Sequence, residues 1–360
     1  MAVWRLEPVG GVRQHWERIL MSDVISLGMV GVGGWGRFVV RNFSQNPNCN
    51  LKYICDANEQ LLARQANLYP AANLTTNFQT ILDDDEVDAV AIVTPAPTHY
   101  SLAKAALLAG KHVYVEKPMT LTAEHSEELV ELAERLGRKL MVGHLLEYHP
   151  AVAKMKSLID SGELGDLHYM YCQRLNLGVV RNNENAFWSL APHDISIILY
   201  LFGAEPNAIE VSGQCYLQPG IEDVVFATLH FPDGRMANIH VSWLDPHKTR
   251  SMVVVGSEKM LVFDDMQPTE KIRVFEKRAM ISGSANGAID AITVQHGDIL
   301  SPNVPNGEPL AIEVAHFIDS ILNNTTPRSD GHDGLRVVRI LEAVDQKLRQ
   351  QFTIPISKAA

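Results

Sequence analysis

Short apolar runs alternate with amphipathic stretches along the first third of the chain, a pattern that predicts strands alternating with helices. Apolar runs that predict buried strands lie at about 24–32, 51–55, 89–93, 113–115 and 140–142. Amphipathic stretches that predict helices lie between them, at about 37–46, 58–69, 101–109 and 122–137. Because strands that are apolar throughout are buried on both faces, this region predicts a parallel sheet covered by helices through right-handed crossovers.

The pattern changes after about residue 145. Helices are predicted at 150–160 and 193–202, and the other apolar runs follow one another without helices between them. These strand-like runs lie at about 169–177, 209–217, 224–231, 236–243, 252–255, 260–263 and 272–275. Consecutive strands joined by short turns make an antiparallel sheet, so this half is predicted to be α+β. Residues 281–309, rich in Gly, Ser, Asn and Pro, are predicted to form a long loop before closing helices at about 312–322 and 335–350.

The predicted antiparallel sheet has a second face that is partly apolar. Along the strand 224–231, Val225 and Ala227 alternate with Phe226 and Thr228. Two helices can cover only one of these faces, and a broad exposed apolar face usually binds a partner. The sequence therefore predicts a homodimer or homotetramer that associates through this sheet.

The composition narrows the class of protein. The chain has 360 residues, 46% hydrophobic and 20% charged, which is enough for two globular domains. A formal net charge of −11 argues against a nucleic-acid binder, which needs clustered cations. No apolar run approaches the ~18 residues that a membrane span requires. The four cysteines form no C-x-x-C pair, as is typical of reduced thiols in a cytoplasmic protein rather than of disulfides or a zinc site.

Residues 1–22 do not continue the strand and helix pattern. They carry scattered charges and lack the apolar stretch of a secretory signal, so we interpret them as an N-terminal extension. The extension is predicted to be a loosely held terminus. One alternative is that Met1 is a wrongly assigned start, and the other is that the extension is an arm that docks on a partner subunit. The predicted domains are therefore 23–144 and 145–360, with closing helices that could pack back on the first domain.

A glycine-rich turn follows the first predicted strand, in the segment Gly31-Val-Gly33-Gly34-Trp35-Gly36. Its first, third and sixth positions fit the G-x-G-x-x-G pattern. In that pattern the first glycine permits a tight turn, the second lets the backbone approach a pyrophosphate, and the third allows close helix–sheet packing. A purely structural turn is the alternative. The turn thus predicts dinucleotide binding.

An acidic residue stands where a dinucleotide site needs one. Asp56 ends the second predicted strand about 20 residues beyond Gly36, where a carboxylate would bind the ribose hydroxyls. A carboxylate at this position would repel a 2′-phosphate, so the sequence favours NAD over NADP as the cofactor.

The predicted fold class is an α/β Rossmann domain plus an α+β domain with an open, mostly antiparallel sheet.

Two polar segments end later strands of the first domain. Ligands of open α/β sheets bind at the carboxyl ends of the strands, so both segments are predicted to face the nicotinamide side of the cofactor. These segments are Thr94-Pro95 with His99, and Glu116-Lys117-Pro118. The structural alternative is that Lys117 is solvated and Pro118 only ends a strand.

From Val24 onwards the chain resembles the glucose–fructose oxidoreductase/inositol dehydrogenase family, usually called Gfo/Idh/MocA. The resemblance rests on the glycine turn, on the two strand-end segments and on a later helix that begins at His193. It implies NAD-dependent oxidation of a sugar hydroxyl. In that family the lysine of Glu-Lys-Pro and a histidine of the second domain lie beside this hydroxyl, which assigns Lys117 and His193 to the active site.

The chemistry of alcohol oxidation agrees with this pair. The reaction transfers a hydride to the nicotinamide and a proton to a base, and a histidine, with an ordinary pKa of about 6.5, suits a proton acceptor. His193 is therefore predicted to be the general acid/base, and Lys117 to hold and polarise the hydroxyl oxygen. The two roles could be exchanged. A histidine satisfied by backbone groups at a helix start is the structural alternative for His193.

The segment before this histidine departs from the family's pattern. Many members carry an aspartate four residues before the histidine and a glycine two residues before it, where this chain has Ser189 and Ala191. The lysine, aspartate and histidine triad of the inositol enzymes is therefore incomplete. This departure disfavours inositol as the substrate.

Polar residues between a predicted strand and this helix are candidates for substrate binding. Arginine and asparagine side chains suit an anionic, hydroxyl-rich ligand. The stretch resembles the subgroup of the family that oxidises UDP-N-acetylhexosamines at ring carbon 3. The predicted substrate residues are Arg174, Asn176, Arg181, Trp188, Asp194 and Tyr148. Weaker pocket candidates are His149, Trp243, Asp245 and His247, and His144 is predicted either to border the nicotinamide or to be a satisfied core histidine.

The predicted function is oxidation of the 3-hydroxyl of a UDP-linked N-acetylated amino sugar to a 3-keto sugar. The alternatives are a free sugar or inositol dehydrogenase, an NAD-dependent glycoside hydrolase, and a non-catalytic sensor, which the presence of Lys117 and His193 disfavours. The sequence has no H-E-x-x-H or similar ligand spacing, so no metal is predicted.

Overall fold

The computed structural model describes residues 24–282 and 291–351. The extension predicted at 1–22 lies outside the described residues, as do residues 283–290 of the predicted loop. The described chain divides into two compact units. Unit 1 contains residues 24–145 and 308–338, and unit 2 contains residues 146–282, 291–307 and 339–351.

Unit 1 is built on a six-stranded parallel sheet. Its strands are β1 (Ile25–Val30), β2 (Cys49–Cys55), β3 (Asn73–Thr75), β4 (Ala89–Ile92), β5 (His112–Glu116) and β6 (Leu140–Gly143). They lie in the order β3-β2-β1-β4-β5-β6, and each neighbouring pair is parallel. Every residue of β4 and β5 is buried, as expected for strands covered on both faces. The predicted α/β class of this region is confirmed.

Helices follow the strands of this sheet. They are α1 (Gly36–Gln45), α2 (Glu59–Ala66), α3 (Gln79–Leu82), α4 (His99–Leu108) and α5 (Ala123–Leu136). Thr122 is the N-cap of α5, because its hydroxyl accepts the His125 N–H at 3.2 Å. Gly137 ends α5 in the left-handed conformation, with φ of 64°.

Unit 2 contains an eight-stranded sheet. Its strands are β7 (Leu167–Leu175), β8 (Ala208–Gln214), β9 (Val224–His230), β10 (Met236–Ser242), β11 (Thr249–Gly256), β12 (Met260–Asp264), β13 (Ile272–Ser282) and β14 (Ala291–Leu300). They lie in the order β14-β13-β12-β11-β7-β10-β9-β8. Only β7 and β10 pair in parallel, so the predicted mostly antiparallel sheet is confirmed. The helices α6 (Pro150–Asp160), α7 (Ala186–Leu190) and α8 (Pro192–Phe202) belong to this unit.

The two faces of this sheet differ as predicted. Val225 and Ala227 of β9 are fully buried, whereas Phe226 between them is 44% exposed. Tyr169 and Met236, paired across β7 and β10, are also exposed. The side-chain period of two therefore separates a core face from an aromatic outer face.

The prediction of one long loop over 281–309 is wrong, because residues 291–300 form a strand. Strand β13 extends to Ser282, β14 occupies Ala291–Leu300, and a helix begins at Pro309. The β14 sequence alternates branched apolar and polar residues at its start. Its apolar side chains are exposed, with Ile292 at 71%, so the strand lacks the buried apolar face that usually identifies a strand. Strand β3 and helix α3 were also missed, since three or four residues are too few for a periodic signal.

Two helices close the described chain, α9 (Pro309–Leu322) and α10 (Gly331–Gln351). Helix α9 packs against α1 and β1 within unit 1. Helix α10 contributes its residues up to Val338 to unit 1 and its later residues to unit 2. Within residues 24–282 and 291–351, no helix has the length and apolar character needed to cross a membrane.

Candidate active site

The glycine-rich turn connects β1 to α1 at the carboxyl edge of the unit 1 sheet. Gly31 has φ of +91°, and a Cβ atom there would lie 2.4 Å from the Val93 carbonyl oxygen, so only glycine fits. A Cβ atom on Gly36 would lie 2.2 Å from the Gly31 carbonyl oxygen. A Cβ atom on Gly33 would meet no atom within 4 Å. The turn therefore combines a tight bend with open backbone at a helix N-terminus, which is what a pyrophosphate group requires.

Asp56 lies directly after β2, beside the glycine turn. Its Oδ2 accepts the Val32 N–H at 2.8 Å, and its Oδ1 accepts the Asn58 N–H at 2.9 Å. A carboxylate offers about four lone-pair positions, so these two bonds fix its orientation and leave acceptor capacity for hydroxyl groups. The predicted ribose-binding acid is thus held rigidly at the predicted edge.

The Thr94-Pro95 segment packs against the glycine turn. A Cβ atom on Gly31 would lie 3.0 Å from Thr94 Cγ2, and the Thr94 hydroxyl bonds the Thr98 hydroxyl at 2.6 Å. Pro95 is exposed at the strand end. This segment and the glycine turn therefore form one continuous surface of unit 1.

His99 makes contacts that differ from the predicted cofactor contact. Its ring is buried, with Nε2 lying 2.8 Å from the Thr94 carbonyl oxygen and Nδ1 lying 2.8 Å from the Pro118 carbonyl oxygen. Burial lowers the pKa of His99 below its ordinary value, although both carbonyl contacts oppose this shift. His99 therefore ties the ends of β4 and β5 together through their backbones.

Glu116 links the glycine turn to the Glu-Lys-Pro segment. Its Oε1 accepts the indole N–H of Trp35 at 2.6 Å, and its Oε2 accepts the backbone N–H of Lys117 at 3.2 Å. The Glu116 side chain is buried, and this burial raises its pKa against the opposing effect of the Trp35 hydrogen bond. The side chain of Lys117 is half-buried, and its peptide bond to Pro118 is cis. The predicted cofactor residues of unit 1 are thus brought together at one edge of the sheet.

His144 has a partner that the sequence analysis missed. Its Nδ1 lies 2.6 Å from Oδ2 of Asp333 on α10, and both side chains are buried. Asp333 also accepts a hydrogen bond from Arg336 at 3.0 Å. This contact holds Nδ1 of His144 within unit 1, and the predicted position of His144 beside the nicotinamide stays a prediction. An acid in the first turn of a closing helix was the available signal for Asp333.

His193 lies in the first turn of α8 in unit 2 and is half-buried. The next residue, Asp194, is buried and binds Arg174 of β7 through two parallel hydrogen bonds of 2.9 Å each. The cavity beside this ion pair measures about 10 Å³, the size of about one water molecule. Arg174 and Asp194 therefore bind each other, and their role in substrate binding stays a prediction.

The other predicted substrate residues differ in accessibility. Arg181 has 52% of its side chain exposed and pairs with Glu184 at 3.1 Å. Asn176 and Trp188 are half-buried, whereas Tyr148 is only 2% exposed. Arg181, Asn176 and Trp188 are the members of this set in unit 2 with accessible polar or aromatic surface.

Several weaker pocket candidates have structural roles in unit 2. His149 caps α6, its Nδ1 accepting the Ala151 N–H at 3.0 Å. Asp245 accepts the His247 N–H at 2.9 Å in a local turn, and Trp243 is buried. His149 and Asp245 therefore each have a local structural contact, and a role of these residues in a pocket stays a prediction.

Family models match both halves of the chain. Residues 25–144 match the model described as the oxidoreductase family with an NAD-binding Rossmann fold, and residues 152–262 match the GFO/IDH/MocA C-terminal domain. The chain belongs to the GFO/IDH/MocA family. It is therefore an oxidoreductase that uses a nicotinamide dinucleotide, and the predicted family, fold class and enzyme class are confirmed.

Curated relatives of this GFO/IDH/MocA chain are 24–30% identical to it over the aligned residues. The uncharacterized oxidoreductase YdgJ of Escherichia coli is 30% identical over 70% of this chain and 74% of its own length. A UDP-N-acetylglucosamine 3-dehydrogenase of Acidithiobacillus ferrooxidans is 26% identical over 86% of this chain and 93% of its own. A scyllo-inositol 2-dehydrogenase (NAD(+)) of Bacillus subtilis is 24% identical over 85% and 89%.

A solved structure of the Acidithiobacillus ferrooxidans enzyme has the same fold. It superposes with a TM-score of 0.76 at 24% identity, covering 92% of this chain and 99% of the other.

Lys117 belongs to unit 1 and His193 to unit 2. Their joint action on one substrate stays a prediction.

Proposed function

We propose that this chain oxidises a secondary hydroxyl of a sugar with NAD, and that its substrate is a UDP-linked N-acetylated amino sugar oxidised at ring carbon 3. The observation that carries the proposal is Lys117 at the end of β5, joined through Glu116 to an open glycine turn. The relative named UDP-N-acetylglucosamine 3-dehydrogenase, aligned over 86% of this chain, supports the substrate class. Unit 1 is proposed to bind the dinucleotide and unit 2 to bind the sugar.

The proposed roles of the two catalytic residues follow from the chemistry. A bound NAD would supply the nicotinamide as the hydride acceptor for the carbinol carbon. The Lys117 ammonium group donates a hydrogen bond to the hydroxyl oxygen and stabilises the negative charge that develops there. His193 accepts the hydroxyl proton as the general base.

Asp194 and Arg174 are proposed to position His193. Because Asp194 follows His193 in the first turn of α8, its two hydrogen bonds to Arg174 anchor that turn to β7. A buried, bidentate ion pair restricts motion more than a single neutral hydrogen bond does. Many family members have an aspartate where this chain has Ser189. We propose that the anchoring by Arg174 and Asp194 orients His193 in place of that aspartate.

The cofactor preference is proposed from Asp56. Its carboxylate is fixed beside the glycine turn by two backbone N–H groups. In that position it accepts hydrogen bonds from ribose hydroxyls and repels a 2′-phosphate, so NAD is the preferred dinucleotide.

Substrate recognition is proposed to involve Asn176, Arg181 and Trp188. Arg181 is the most accessible cation of this set, and a guanidinium group suits the diphosphate of a nucleotide sugar. The indole of Trp188 offers a flat apolar surface for a sugar or a base. Tyr148, which is nearly fully buried, is proposed to support the site.

The proposal is tested by mixing purified protein and NAD with UDP-N-acetylglucosamine, and in parallel with myo-inositol, while measuring the absorbance of reduced nicotinamide. We expect an increase with the nucleotide sugar alone. An increase with myo-inositol alone would contradict the substrate assignment and support the second candidate below. Turnover of a glycoside without net reduced nicotinamide would indicate the hydrolase alternative.

A free inositol or sugar dehydrogenase is the second candidate function. The scyllo-inositol 2-dehydrogenase relative, aligned over 85% of this chain, favours it. Ser189 and Ala191 argue against it, because they replace the aspartate and glycine of the inositol enzymes' pattern.

The outer face of the unit 2 sheet is proposed to join copies of the chain into a homodimer or homotetramer. Tyr169, Tyr171, Phe226 and Met236 are each 37–44% exposed on this face, and Phe226 stacks on His240 at 4.2 Å. Exposed aromatic surface of this kind is typical of protein interfaces. Size-exclusion chromatography with light scattering tests the proposal: the wild type should be dimeric or tetrameric, and a Y171E/F226E variant should shift towards monomer.

A further inference from the structure

A fully buried acid lies on α9, outside the motifs that indicated the cofactor site. Glu313 is 0% exposed on a helix face whose neighbours are the apolar residues Leu310, Val314 and Phe317. Burying a carboxyl group among apolar residues costs free energy unless hydrogen bonds compensate. The helix therefore retains Glu313 in a place where packing alone would favour leucine.

Tyr114 of β5 connects this acid to the cofactor site. Its hydroxyl lies 3.1 Å from Oε2 of Glu313 and 3.3 Å from Oε1 of Glu116. The phenol ring packs edge-on against Phe43 at 5.8 Å and against Phe317 at 5.9 Å. These rings fix the position of the hydroxyl, so the contacts of Tyr114 do not depend on a mobile side chain.

The chain leaves space for this arrangement at Gly143. A Cβ atom on Gly143 would lie 2.7 Å from the Tyr114 hydroxyl oxygen and 3.0 Å from Glu116 Cδ. Any larger residue would displace one of the two groups. The absence of a side chain at the end of β6 thus accommodates the Tyr114 and Glu116 pair.

Glu116 carries the connection to the cofactor-binding turn. One of its oxygens accepts the Trp35 indole N–H at 2.6 Å, and the other accepts the Lys117 backbone N–H at 3.2 Å. A chain of hydrogen bonds therefore runs from α9 through β5 to the glycine turn and to the backbone of the proposed catalytic lysine.

We propose that Glu313 and Tyr114 are positioning residues for the dinucleotide site, because they hold the Glu116 carboxyl group in the orientation that binds Trp35 and the Lys117 backbone. The inference rests on the proposed function only for the role of Lys117. The dinucleotide-binding part stands on the family membership and on the contacts of unit 1.

The protonation of Tyr114, Glu116 and Glu313 agrees with this positioning role. A phenol donates one proton, so Tyr114 can donate to only one of the two carboxyl groups. The second contact is favourable when the other carboxyl group is protonated. Burial raises the pKa of Glu116, and burial together with both carboxyl groups raises the pKa of Tyr114. A neutral carboxyl group also weakens repulsion of the dinucleotide phosphates.

The experiment compares dinucleotide binding by five variants of the full chain, four single variants and the Y114F/E313L double variant. Y114F removes the hydroxyl and keeps the ring packing, E313L removes the buried acid, and E313Q keeps a hydrogen-bonding group. S320A is the matched control, because Ser320 is equally buried on α9 and its hydroxyl bonds only the His316 carbonyl oxygen of its own helix. Dissociation constants for NADH are measured by fluorescence transfer from tryptophan to the nicotinamide, and folding is checked by thermal unfolding.

We expect Y114F and E313L each to weaken NADH binding about fivefold, the effect of losing one hydrogen bond. The Y114F/E313L double variant should weaken it by no more than about twofold beyond either single variant, because both changes break the same connection. E313Q should recover most of the affinity lost in E313L, and S320A should bind as the wild type does. In steady state the loss should be in KM for NAD rather than in kcat.

Three outcomes would overturn the inference: unchanged binding in folded Y114F, equal losses in E313Q and E313L, or an equal loss in S320A. The NADH-binding measurement needs no sugar. Failure to oxidise any sugar while these binding effects persist would therefore overturn the proposed function and leave this inference supported.

Discussion

The two units use charged side chains in different ways. In unit 1, Asp56 and Glu116 bind backbone or indole N–H groups beside a glycine turn whose backbone is open. In unit 2, Arg174 and Asp194 bind each other beside a cavity that holds about one water. A charged residue near a proposed site is therefore not by itself a ligand-binding residue.

The two units also differ in the side chains that they are proposed to contribute to catalysis. Unit 1 holds its predicted cofactor residues at one sheet edge, whereas unit 2 contributes one proposed catalytic side chain, His193, on a turn anchored by an ion pair.

Removal of either proposed catalytic group should have the largest effect. K117A and H193A should each lower kcat by about 10²–10⁴-fold, the range for a positioned general acid/base or its electrostatic partner. The dissociation constant for NADH should change little in H193A, since His193 lies outside unit 1. Initial rates and NADH titrations measure both quantities. Either variant keeping kcat within about threefold of the wild type would contradict the assignment of that residue.

Breaking the Arg174–Asp194 pair should destabilise unit 2. R174M leaves the buried Asp194 carboxylate without its partner, which costs about 3–5 kcal/mol in the free energy of unfolding. The double variant R174M/D194L removes both charges and should recover most of that loss. Chemical denaturation measures these differences.

The same pair also tests the positioning of His193. If the pair anchors the catalytic turn, R174M/D194L should be stable and still have a reduced kcat. Normal kcat in the stable double variant would show that the pair acts on stability alone.

Neutralising Asp56 should change cofactor preference. D56N retains an oxygen for the Val32 N–H and loses the charge that repels a 2′-phosphate, so the ratio of kcat/KM for NAD to that for NADP should fall about tenfold. D88N is the matched control, because Asp88 accepts the Ser26 N–H at 2.8 Å near the other end of β1. An unchanged ratio in D56N, or an equal fall in D88N, would remove Asp56 from the cofactor assignment.

The smallest expected effect is on the pH dependence of stability. Burial lowers the pKa of His99 below its ordinary value of 6.5, so between the two values the unfolded chain binds a proton that the folded chain does not. The contribution of His99 to stability is therefore full above pH 6.5 and is lost as pH falls through the folded pKa. Unfolding of wild type and H99Q compared from pH 7.5 to 5 should show a shallower acid loss in H99Q. Parallel curves would mean that His99 does not titrate with unfolding.

The sequence predicted the cofactor half of the molecule well for a physical reason. Gly31 and Gly36 stand where a tight turn and close helix packing require glycine. Both requirements lie within one segment of six residues, so the local sequence is enough to identify them. The sequence also placed Glu116 and Lys117 at the edge of the parallel sheet, since apolar strands separated by helices leave few alternatives. The missed strand β14 has exposed apolar residues, so its periodicity carries no burial signal.

The sequence alone determined the alternation of strands and helices, the glycine turn and the residue types at the strand ends, because local periodicity and backbone conformation specify them. Only the tertiary structure decided which charged groups are available. Arg174 meets Asp194 across 20 residues, and Tyr114 meets Glu313 across 199. Such partners depend on where distant backbone segments pack, and hydrogen bonds in a buried environment form only when that packing brings donor and acceptor within about 3 Å.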